Sequence, residues 1–452
     1  MNKIVLVFLF FSINIFAQDE ILENYIKVGI KNNLALKQKQ FSLEQSITDL
    51  DQARGMFFPT VDISARYSRA GGGRDIIFPV GDLFNPIYGT LNALTNSQSF
   101  PTDLGNEVIP FLRDKEHDTK ISLILPIIQP ALFYNYSIKS NLIEIKEAEK
   151  NLYTRSLISE IKIAYYNYQK TKQVAKLFSS TIELVTENLR VSKSLFKNDK
   201  VTVDVMHRAK AELSEVEQKQ LEASKNVELA ASYFNFLLNK PLESEIKIFE
   251  DLTKYEIDDL SNLEVLAISN REEFSQLKTA NDVAQKSKGL AQSNYYPGLV
   301  LAVDYGFQGE EYSFGKDDDY WMASLVLNWN LFNGFQDNAK AEKAELEKNK
   351  ISAQILEIKN RVKLQVREAY KNYIVAEKTI QSTKERLDSY KNSFRIINKK
   401  FNAGMASQIE YLDARNNLTQ AEVLAVVAQY DYKQKYAELE KIVASVKLNK
   451  YE

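Results

Sequence analysis

Two acidic residues, Glu410 and Asp413, are the residues best spaced to act on a charged solute. They lie three positions apart in a stretch of helical composition, so their side chains share one helical face. They follow Gly404, the only glycine between Phe335 and Glu452, which indicates a turn between two helices. Neighbouring carboxylates attract cations and repel each other, whereas carboxylates in the first turns of a helix complement its dipole. From the residues alone, the helix-dipole interpretation is favoured.

The rest of the sequence offers little catalytic chemistry. His117 and His207 are the only histidines, and neither has a partner at metal-ligand spacing, so no metal site is predicted. There is no cysteine, which excludes thiol catalysis, disulfides and a lipid anchor on cysteine. No nucleophile elbow, phosphate loop or nucleotide-binding glycine pattern occurs. With 58 basic and 60 acidic residues, no large charge of one sign indicates nucleic-acid binding, and we expect neither an enzyme nor a cofactor.

Residues 1–17 have the pattern of a secretory signal peptide. One lysine precedes an apolar run from Ile4 to Phe16, and Ala17 is followed by polar sequence, which predicts cleavage after Ala17. No other apolar run approaches the roughly 18 to 20 residues that a membrane-spanning helix needs. The sequence therefore predicts an exported protein whose membrane contact, if any, uses something other than a helix.

Two stretches of more than sixty residues are predicted to be single helices that position the turn and the acidic pair. They run over about residues 135–197 and 337–400, roughly 95 Å each, and neither contains glycine or proline. Shorter helical partners follow at residues 202–239 and 407–446. Ile161, Tyr165 and Tyr168 are spaced four and then three apart, which is typical of a coiled-coil seam and indicates packing.

The sequence also repeats itself. A shift of 238 places "FFP" at residues 57–59 on "YYP" at residues 295–297, and a shift of 205 aligns the long helices without a gap. We therefore predict two repeats of helix, strand, strand and helix. The predicted organisation is a signal peptide, a first repeat, a linker, a second repeat and a tail: residues 1–17, 18–240, 241–262, 263–446 and 447–452.

Four segments between the helices have a period of two. They lie at residues 59–68, 118–126, 298–307 and 320–329. In the first, Val61 and Ile63 alternate with Asp62 and Ser64, so each segment is predicted to be a strand with one apolar and one polar face. Such strands fit either a soluble sandwich or a transmembrane barrel whose polar face lines water.

Aromatic residues at the strand ends favour the barrel. They form two groups: Phe57, Phe58, Tyr295, Tyr296 and Trp329 at one end, and Tyr67, Tyr305, Tyr320 and Trp321 at the other. Two aromatic girdles are typical of the two interfaces of a bilayer, although a soluble core could use the same residues. The signal peptide favours an outer membrane, and these aromatics are then membrane-interface residues.

Four strands cannot close a barrel, and an open edge in lipid leaves backbone groups unpaired at several kcal/mol each. Several chains must therefore share one barrel. Two chains would give eight strands, which leaves room only for side chains, and three would give twelve. A conduit favours three chains.

The first repeat carries a long insertion between its strands. The two repeats align with a shift of 238 residues before the insertion and with a shift of 202 residues after it. The insertion therefore adds 36 residues to the first repeat, and they lie within a predicted loop over residues 69–117. This loop is rich in glycine and proline and is too long to be only a connection.

The chain resembles the TolC family of outer membrane efflux proteins over essentially all of its mature length. The residues that carry the resemblance are "AISNREEF" at residues 267–274, "YYP" before a strand, and "FNAGMASQIEYLDA" at residues 401–414, in that order within the repeat. The resemblance implies an α+β membrane protein. Its fold would be a homotrimer with a twelve-stranded transmembrane β-barrel continuous with a long periplasmic α-helical barrel, and with the linker 241–262 in the equatorial region.

The same resemblance assigns roles to the two turns. It implies that they form the periplasmic tip, where an adaptor protein docks, at Phe401, Gly404, Met405, Ser407, Phe196, Asp199, Lys200 and Thr202. Glu410 and Asp413 would form stacked acidic rings that line the channel constriction. The chain departs from the family pattern at Asp199, where glycine is expected, and at Ala406, where a basic residue is common. Asp204 also lies one residue before the usual acidic position.

The expected function is a passive exit duct in the outer membrane of a Gram-negative bacterium, with a large periplasmic part and contact with outer membrane lipid. It would pass substrates from an inner-membrane pump and a periplasmic adaptor, in an efflux or type I secretion system. The alternative is a structural or adhesive coiled-coil surface protein; a narrower one is a porin that works without partners. The sequence identifies neither the cargo nor the class of pump, and it assigns no role to loop 69–117.

Overall fold

The structure is a computed structural model that describes residues 8–249 and 255–451, with side chains from Glu20 onward. Contacts divide the chain into two compact units. The helical unit comprises the described residues up to Asp49, those of Lys139–Gln285 and those from Glu345 onward, and the strand unit comprises Leu50–Ile138 and Lys286–Ala344. Residues 1–7 of the predicted signal peptide and 250–254 of the predicted linker lie outside the described residues, and residues 8–17 are helical.

Helices make up most of the chain. The helices of the described residues are α1 (Phe8–Asn32), α2 (Leu34–Gly55), α3 (Val80–Thr95), α4 (Pro130–Lys197), α5 (Val203–Leu237), α6 (Leu260–Asn270), α7 (Glu272–Ser293), α8 (Gln336–Asn402) and α9 (Gln408–Val443), with a 3-10 helix at Leu448–Lys450. Helices α4 and α8 have 68 and 67 residues. Proline opens α4, where its missing N–H costs nothing, and no later glycine or proline interrupts either helix. Throughout the part of the chain that the structure describes, no helix combines the length and the apolar character needed to cross a membrane.

Two cores of buried side chains hold the helical unit together. In the first, Ile161 and Tyr165 of α4, two of the predicted seam residues, pack with Phe234 of α5. In the second, Tyr373 of α8 lies against Tyr432 of α9, and their hydroxyls hydrogen-bond at 2.9 Å. The seam residues are therefore packing residues, as their spacing indicates.

A buried ion pair joins α4 to the start of α7. Arg155 Nη2 donates to Glu272 Oε1 at 2.6 Å, and both side chains are almost fully buried. Beside them, Arg271 pairs with Glu273 and donates to Gln365 of α8 at 2.7 Å. These charges line a cavity of about 690 Å³. Because each has a partner, the charges of the "AISNREEF" segment act as a structural link between helices.

We expect Glu272→Ala to lower the free energy of unfolding by about 3 to 5 kcal/mol, since it leaves the Arg155 guanidinium buried without a carboxylate. Denaturant unfolding of the purified protein in detergent measures this change. Glu264→Ala is the control, because the Arg367 partner of Glu264 is exposed, and that loss should stay within about 1 kcal/mol. Equal losses for the two variants would contradict the role of the buried pair.

The strand unit contains one four-stranded sheet and one short hairpin. The strands are β1 (Thr60–Arg69), β2 (Asp75–Phe78), β3 (Glu107–Pro110), β4 (Lys115–Ile128), β5 (Gly298–Gly309) and β6 (Asp319–Asn328). The sheet is antiparallel in the order β1-β4-β5-β6, and β2 pairs with β3. Strands β1 and β6 are therefore the edges of the larger sheet, with no strand beyond them among the described residues.

The register separates an apolar face from a polar face. Ile63, Ile121, Tyr305 and Trp321 lie opposite one another across the four strands and form one apolar row. On the other face, Lys120 Nζ donates to Asp304 Oδ2 at 2.9 Å. The apolar face is exposed to a degree unusual for a protein in water, since Ile63 is 77% exposed and Trp321 is 76% exposed.

The insertion of the first repeat has its own secondary structure. The segment predicted as a loop contains β2, α3 and β3, and the predicted loop is wrong in this respect. Gly81, Pro86 and Gly89 indicated a loop, but Pro86 and both glycines lie within α3. Gly81 is required there, because a Cβ atom would lie 2.0 Å from the carbonyl oxygen of Leu104. Asn85 Nδ2 then donates to that oxygen at 2.9 Å, which holds α3 against the following segment.

Candidate functional site at the helical turns

The first turn connects α4 to α5. Asp199 has a φ of +53°, in the left-handed region, and the N–H of Lys200 donates to the Leu195 carbonyl at 2.9 Å. Thr202 is the N-cap residue of α5, and its hydroxyl donates to the Asp204 carboxylate instead of accepting from the helix backbone. Aspartate therefore occupies the position where the family pattern has glycine, as its tolerance of this conformation allows.

The second turn, between α8 and α9, has the same hydrogen-bond pattern. Gly404 has a φ of +75°, and the N–H of Met405 donates to the Lys400 carbonyl at 2.8 Å. Ser407 then caps α9 through a capping box: its hydroxyl accepts from the N–H of Glu410, while the Glu410 carboxylate accepts from the N–H of Ser407 at 2.7 Å. The turn is thus fixed on both sides by local hydrogen bonds.

The two predicted acidic residues lie together on an exposed face of α9. The hydrogen bonds that Glu410 accepts from the Ser407 backbone and hydroxyl, with a smaller contribution from Lys400, hold its pKa below the usual glutamate range. Asp413 accepts a hydrogen bond from Asn417 at 3.2 Å. Glu410 therefore serves the helix start, as the helix-dipole interpretation predicts, and its role in a constriction stays a prediction.

A buried polar contact joins α9 to α4 just behind the turns. Gln408 Nε2 donates to Asn188 Oδ1 at 2.9 Å, and Arg415 Nη2 donates to the Thr181 hydroxyl at 3.0 Å. The guanidinium of Arg415 also lies 5.5 Å from the centre of the Phe394 ring. Arg415 is only 5% exposed, and its Nε has no partner among the described residues. The hydrogen bond between this buried cation and the Thr181 hydroxyl contributes about 1.5 to 3 kcal/mol, so it can separate at moderate cost.

Glu212 of α5 is buried beside this contact. Its carboxylate accepts a hydrogen bond from Asn416 of α9 at 3.5 Å. Burial raises the pKa of Glu212 above the usual glutamate range, and the hydrogen bond from Asn416 opposes that rise only in part. The side chain is thus poised to bind a proton more readily than an exposed glutamate.

We expect Glu212→Gln to stabilise the protein at neutral pH and to have no such effect in acid. The pKa of Glu212 is higher in the folded protein than in the unfolded chain. The native protein therefore keeps its full stability at pH values below the pKa of Glu212 in the unfolded chain, and it loses stability as the pH rises through the pKa of Glu212 in the folded protein. Thermal unfolding of both forms across this pH range measures the effect. The matched control, Glu217→Gln, changes an exposed carboxylate of the same helix and should show no pH-dependent difference. Parallel pH profiles for native protein and Glu212→Gln would contradict the assignment.

The sequence did not predict this polar contact, although polar residues at helical seam positions indicate it. Thr181, Asn188 and Ser192 of α4 occupy buried positions at seam spacing, where apolar residues are usual. Gln408 and Arg415 do the same in α9. Polar residues in a helical seam mark a specific contact, and the pairing between the two helices could be seen only in the structure.

The other predicted tip residues lie in or beside the turns. Phe401 packs on Tyr411, with ring centres 4.7 Å apart, whereas Met405 is 73% exposed. Phe196, the last aromatic of α4, is also exposed. The exposed residues surround the turns, and the buried Tyr411 forms the base on which α8 and α9 meet.

The predicted membrane-interface aromatics are mostly exposed on the strand unit. The exposed ones are Phe58, Tyr67, Tyr295, Tyr296, Tyr305, Trp321 and Trp329. Phe57 is half-buried and packs on Phe133, with ring centres 5.2 Å apart. Tyr320 differs, because the register places it on the polar face, where its hydroxyl donates to Asp118 at 3.0 Å. Period-two alternation separates it from Trp321, so Tyr320 does not belong with the apolar-face aromatics.

Residues 263–445 match the sequence model of the family described as outer membrane efflux protein. The resemblance to the TolC-like outer membrane efflux proteins is confirmed. Among curated relatives of this family are the probable efflux pump outer membrane protein TtgC and the antibiotic efflux pump outer membrane protein ArpC, both of Pseudomonas putida. Each is 20% identical over 285 residues, and the alignment covers 59% of this chain and 56% of the relative. The match thus spans a little over half the length of these curated relatives.

Solved structures of outer membrane proteins have the same fold. The CmeC outer membrane channel of Campylobacter jejuni superposes with a TM-score of 0.78 at 17% identity, covering 95% of this chain and 88% of CmeC. The outer membrane protein VceC of Vibrio cholerae superposes with a TM-score of 0.73 at 14% identity, covering 93% of this chain and 95% of VceC. At these identities, the likeness shows the fold of an outer membrane efflux protein. In the described residues, no group of three or more His, Asp or Glu side chains could hold a metal ion.

Proposed function

We propose that this chain is the outer membrane channel of a tripartite efflux or secretion assembly. Three copies would share a twelve-stranded barrel in the outer membrane of a Gram-negative bacterium, and their long helices would form a periplasmic duct. The duct passes substrate outward passively, while an inner-membrane pump supplies the energy and a periplasmic adaptor joins the two. The match of the second half of the chain to the outer membrane efflux proteins supports this proposal.

The observation that carries the proposal is the four-stranded sheet with one exposed apolar face and two free edges. Its apolar row of Ile63, Ile121, Tyr305 and Trp321 suits lipid, while Lys120 on the opposite face suits water. Free edges leave backbone N–H and C=O groups unpaired, which is costly in lipid. Pairing β6 of one copy with β1 of the next removes both edges. Twelve strands from three copies leave a water-filled interior, whereas eight from two copies do not.

The helical turns would form the closed end of the duct. Three copies of Glu410 and Asp413 on the exposed face of α9 would form two acidic rings, which attract cations and repel anions. The contact between Arg415 and Thr181 would hold α9 against α4 when the duct is closed. Opening would then require this buried contact to separate.

Cross-linking across the strand edges tests the number of copies. The chain has no cysteine, so Ser64→Cys in β1 and Ser324→Cys in β6 introduce two unique thiols on the polar face. A flexible bis-maleimide should then produce covalent dimers and trimers and nothing larger. Either cysteine alone can link no more than two copies and serves as the control. Cross-linked products that end at the dimer, or that include species larger than the trimer, would contradict the twelve-stranded barrel.

A further inference from the structure

The two turns expose several basic residues at one end of the helices. We define the tip surface as the exposed residues of the first turn, residues 193–203, and of the second turn, residues 395–409. Gln408, at the start of α9, donates to Asn188, nine residues before α4 ends, so both turns lie at the same end of the helical unit. The proposed function places this surface away from the outer membrane, facing a partner.

The tip surface has a strong excess of positive charge. Residues 193–203 contain three lysines and one acidic residue, Asp199, and residues 395–409 contain three lysines and arginines and no aspartate or glutamate. Lys197, Lys200, Lys399 and Lys400 are all exposed. Among the described residues, none of these four has a carboxylate oxygen within 4.0 Å. By contrast, Arg190, just outside the surface, pairs with Glu187 at 2.7 Å. Lys197, Lys200 and Lys399 are thus available for charges outside this chain, whereas Lys400 also interacts with Glu410 of the same turn.

Apolar side chains lie among these lysines. Met405 is 73% exposed and Ile409 is 58% exposed in the second turn, and Val203 and Phe196 are exposed in the first. Each turn is fixed by its own hydrogen bonds, from Lys200 to Leu195 and from Met405 to Lys400, so the apolar groups stand on rigid backbone. Apolar residues surrounded by charged ones are the usual arrangement of a protein interface with a polar rim.

We propose that the tip surface docks a partner protein segment that presents apolar residues within a rim of carboxylates. This proposal rests on the proposed function, which gives the tip a periplasmic partner, and adds the chemistry of that partner. Exposed lysines that outnumber the carboxylates of the tip surface favour an acidic partner surface through charge complementarity. The four exposed apolar residues supply the contact that carries affinity once the charges have oriented the partner.

Photo-cross-linking at Met405 tests the proposal in the full-length protein in its own cells. A benzoylphenylalanine at this position lies at the centre of the second turn and reacts with whatever contacts it. Mass spectrometry of the cross-linked peptides then identifies the partner segment. We expect a segment of net negative charge with apolar residues between its carboxylates. A neutral or basic segment, or cross-links only to lipid, would overturn the proposal.

Charge reversal gives a second, quantitative readout. Lys197→Glu with Lys400→Glu should lower the cross-link yield about tenfold, and replacing the carboxylates of the identified segment by lysine should restore it. The control pair, Lys371→Glu with Lys378→Glu, changes exposed lysines of α8 away from the tip and should leave the yield unchanged. Equal losses for both pairs would overturn the proposal.

Different results would contradict the acidic partner segment and the adaptor part of the proposed function. A partner captured at Met405 through a segment that is not acidic would overturn this proposal and would leave the adaptor part of the proposed function intact. If no protein is captured although the chain forms trimers, both the docking surface and the adaptor part of the proposed function are contradicted. Recovery of each variant as a trimer excludes misfolding as the cause.

Discussion

Replacing Ile63 by arginine is expected to prevent stable assembly in the outer membrane. Ile63 is 77% exposed on the apolar face of the sheet, in the row that includes Ile121, Tyr305 and Trp321. An arginine on the lipid face of a barrel near the middle of the bilayer costs about 2 to 4 kcal/mol per copy, and the trimer carries three. The fraction of protein recovered as trimer from the outer membrane should therefore fall sharply.

The neighbouring residue supplies the matched control for this prediction. Ser64 is also exposed in β1, but strand alternation places it on the polar face, opposite Lys120. Ser64→Arg adds the same side chain on the side that faces water and should leave assembly nearly unchanged. If both variants assemble equally well, or equally poorly, the apolar face does not face lipid.

Replacing Arg415 by methionine is expected to open the duct. Methionine keeps the buried stem and removes the hydrogen bond to the Thr181 hydroxyl. A hydrogen bond from a charged group contributes about 1.5 to 3 kcal/mol, so the equilibrium between closed and open tips should shift by at least about tenfold. The measurement is the open fraction of single channels in a planar bilayer, or uptake of a large antibiotic by cells that carry the variant.

Two further variants separate a contact at the turns from a general loss of stability. Thr181→Val removes the other partner of the same hydrogen bond, so its effect should resemble that of Arg415→Met and should not add to it. Arg386→Met changes an exposed arginine of α8 and should leave conductance unchanged. Additive effects of the first two variants would show that Arg415 acts through other contacts.

The strands and long helices were accessible from sequence because each has a simple physical period. Val61 and Ile63 alternate with Asp62 and Ser64, and β1 begins at Thr60 and ends at Arg69, within one residue of the predicted segment. Helix α8 lies between Gly334 and Gly404, whereas α4 begins at Pro130 and ends at Lys197, before the turn at Asp199, with no glycine or proline to mark that end. Gly404 marks its turn for the same reason, because it is the lone glycine of a helical region and adopts a positive φ.

The insertion and the buried contact behind the turns were not accessible in this way. Helix α3 contains Pro86 and two glycines, and it forms because Asn85 and Asn92 donate to backbone carbonyls of the segment that follows. Such contacts depend on tertiary structure that local sequence does not encode. The pairing of Arg415 with Thr181, 234 residues apart in sequence, is of the same kind.

The capping box of α9 shows a second feature that the sequence did not predict. The sequence indicated that Glu410 and Asp413 share a face, and both side chains lie on one exposed face of α9. It did not show that the Glu410 carboxylate would itself bind the N–H of Ser407. A residue predicted for a channel ring therefore also has a structural task, and any substitution at Glu410 must preserve the cap to report on conduction.

Single-channel conductance and ion selectivity in a planar bilayer, for the native chain and for Glu410→Gln with Asp413→Asn, test the proposed channel most directly. Glutamine can still complete the capping box, so the variant removes charge at the turns while it keeps the helix start. We predict small cation-preferring currents from the native protein and loss of that preference in the variant. Folded protein that forms no pores would contradict the channel and would favour a coiled-coil surface protein instead.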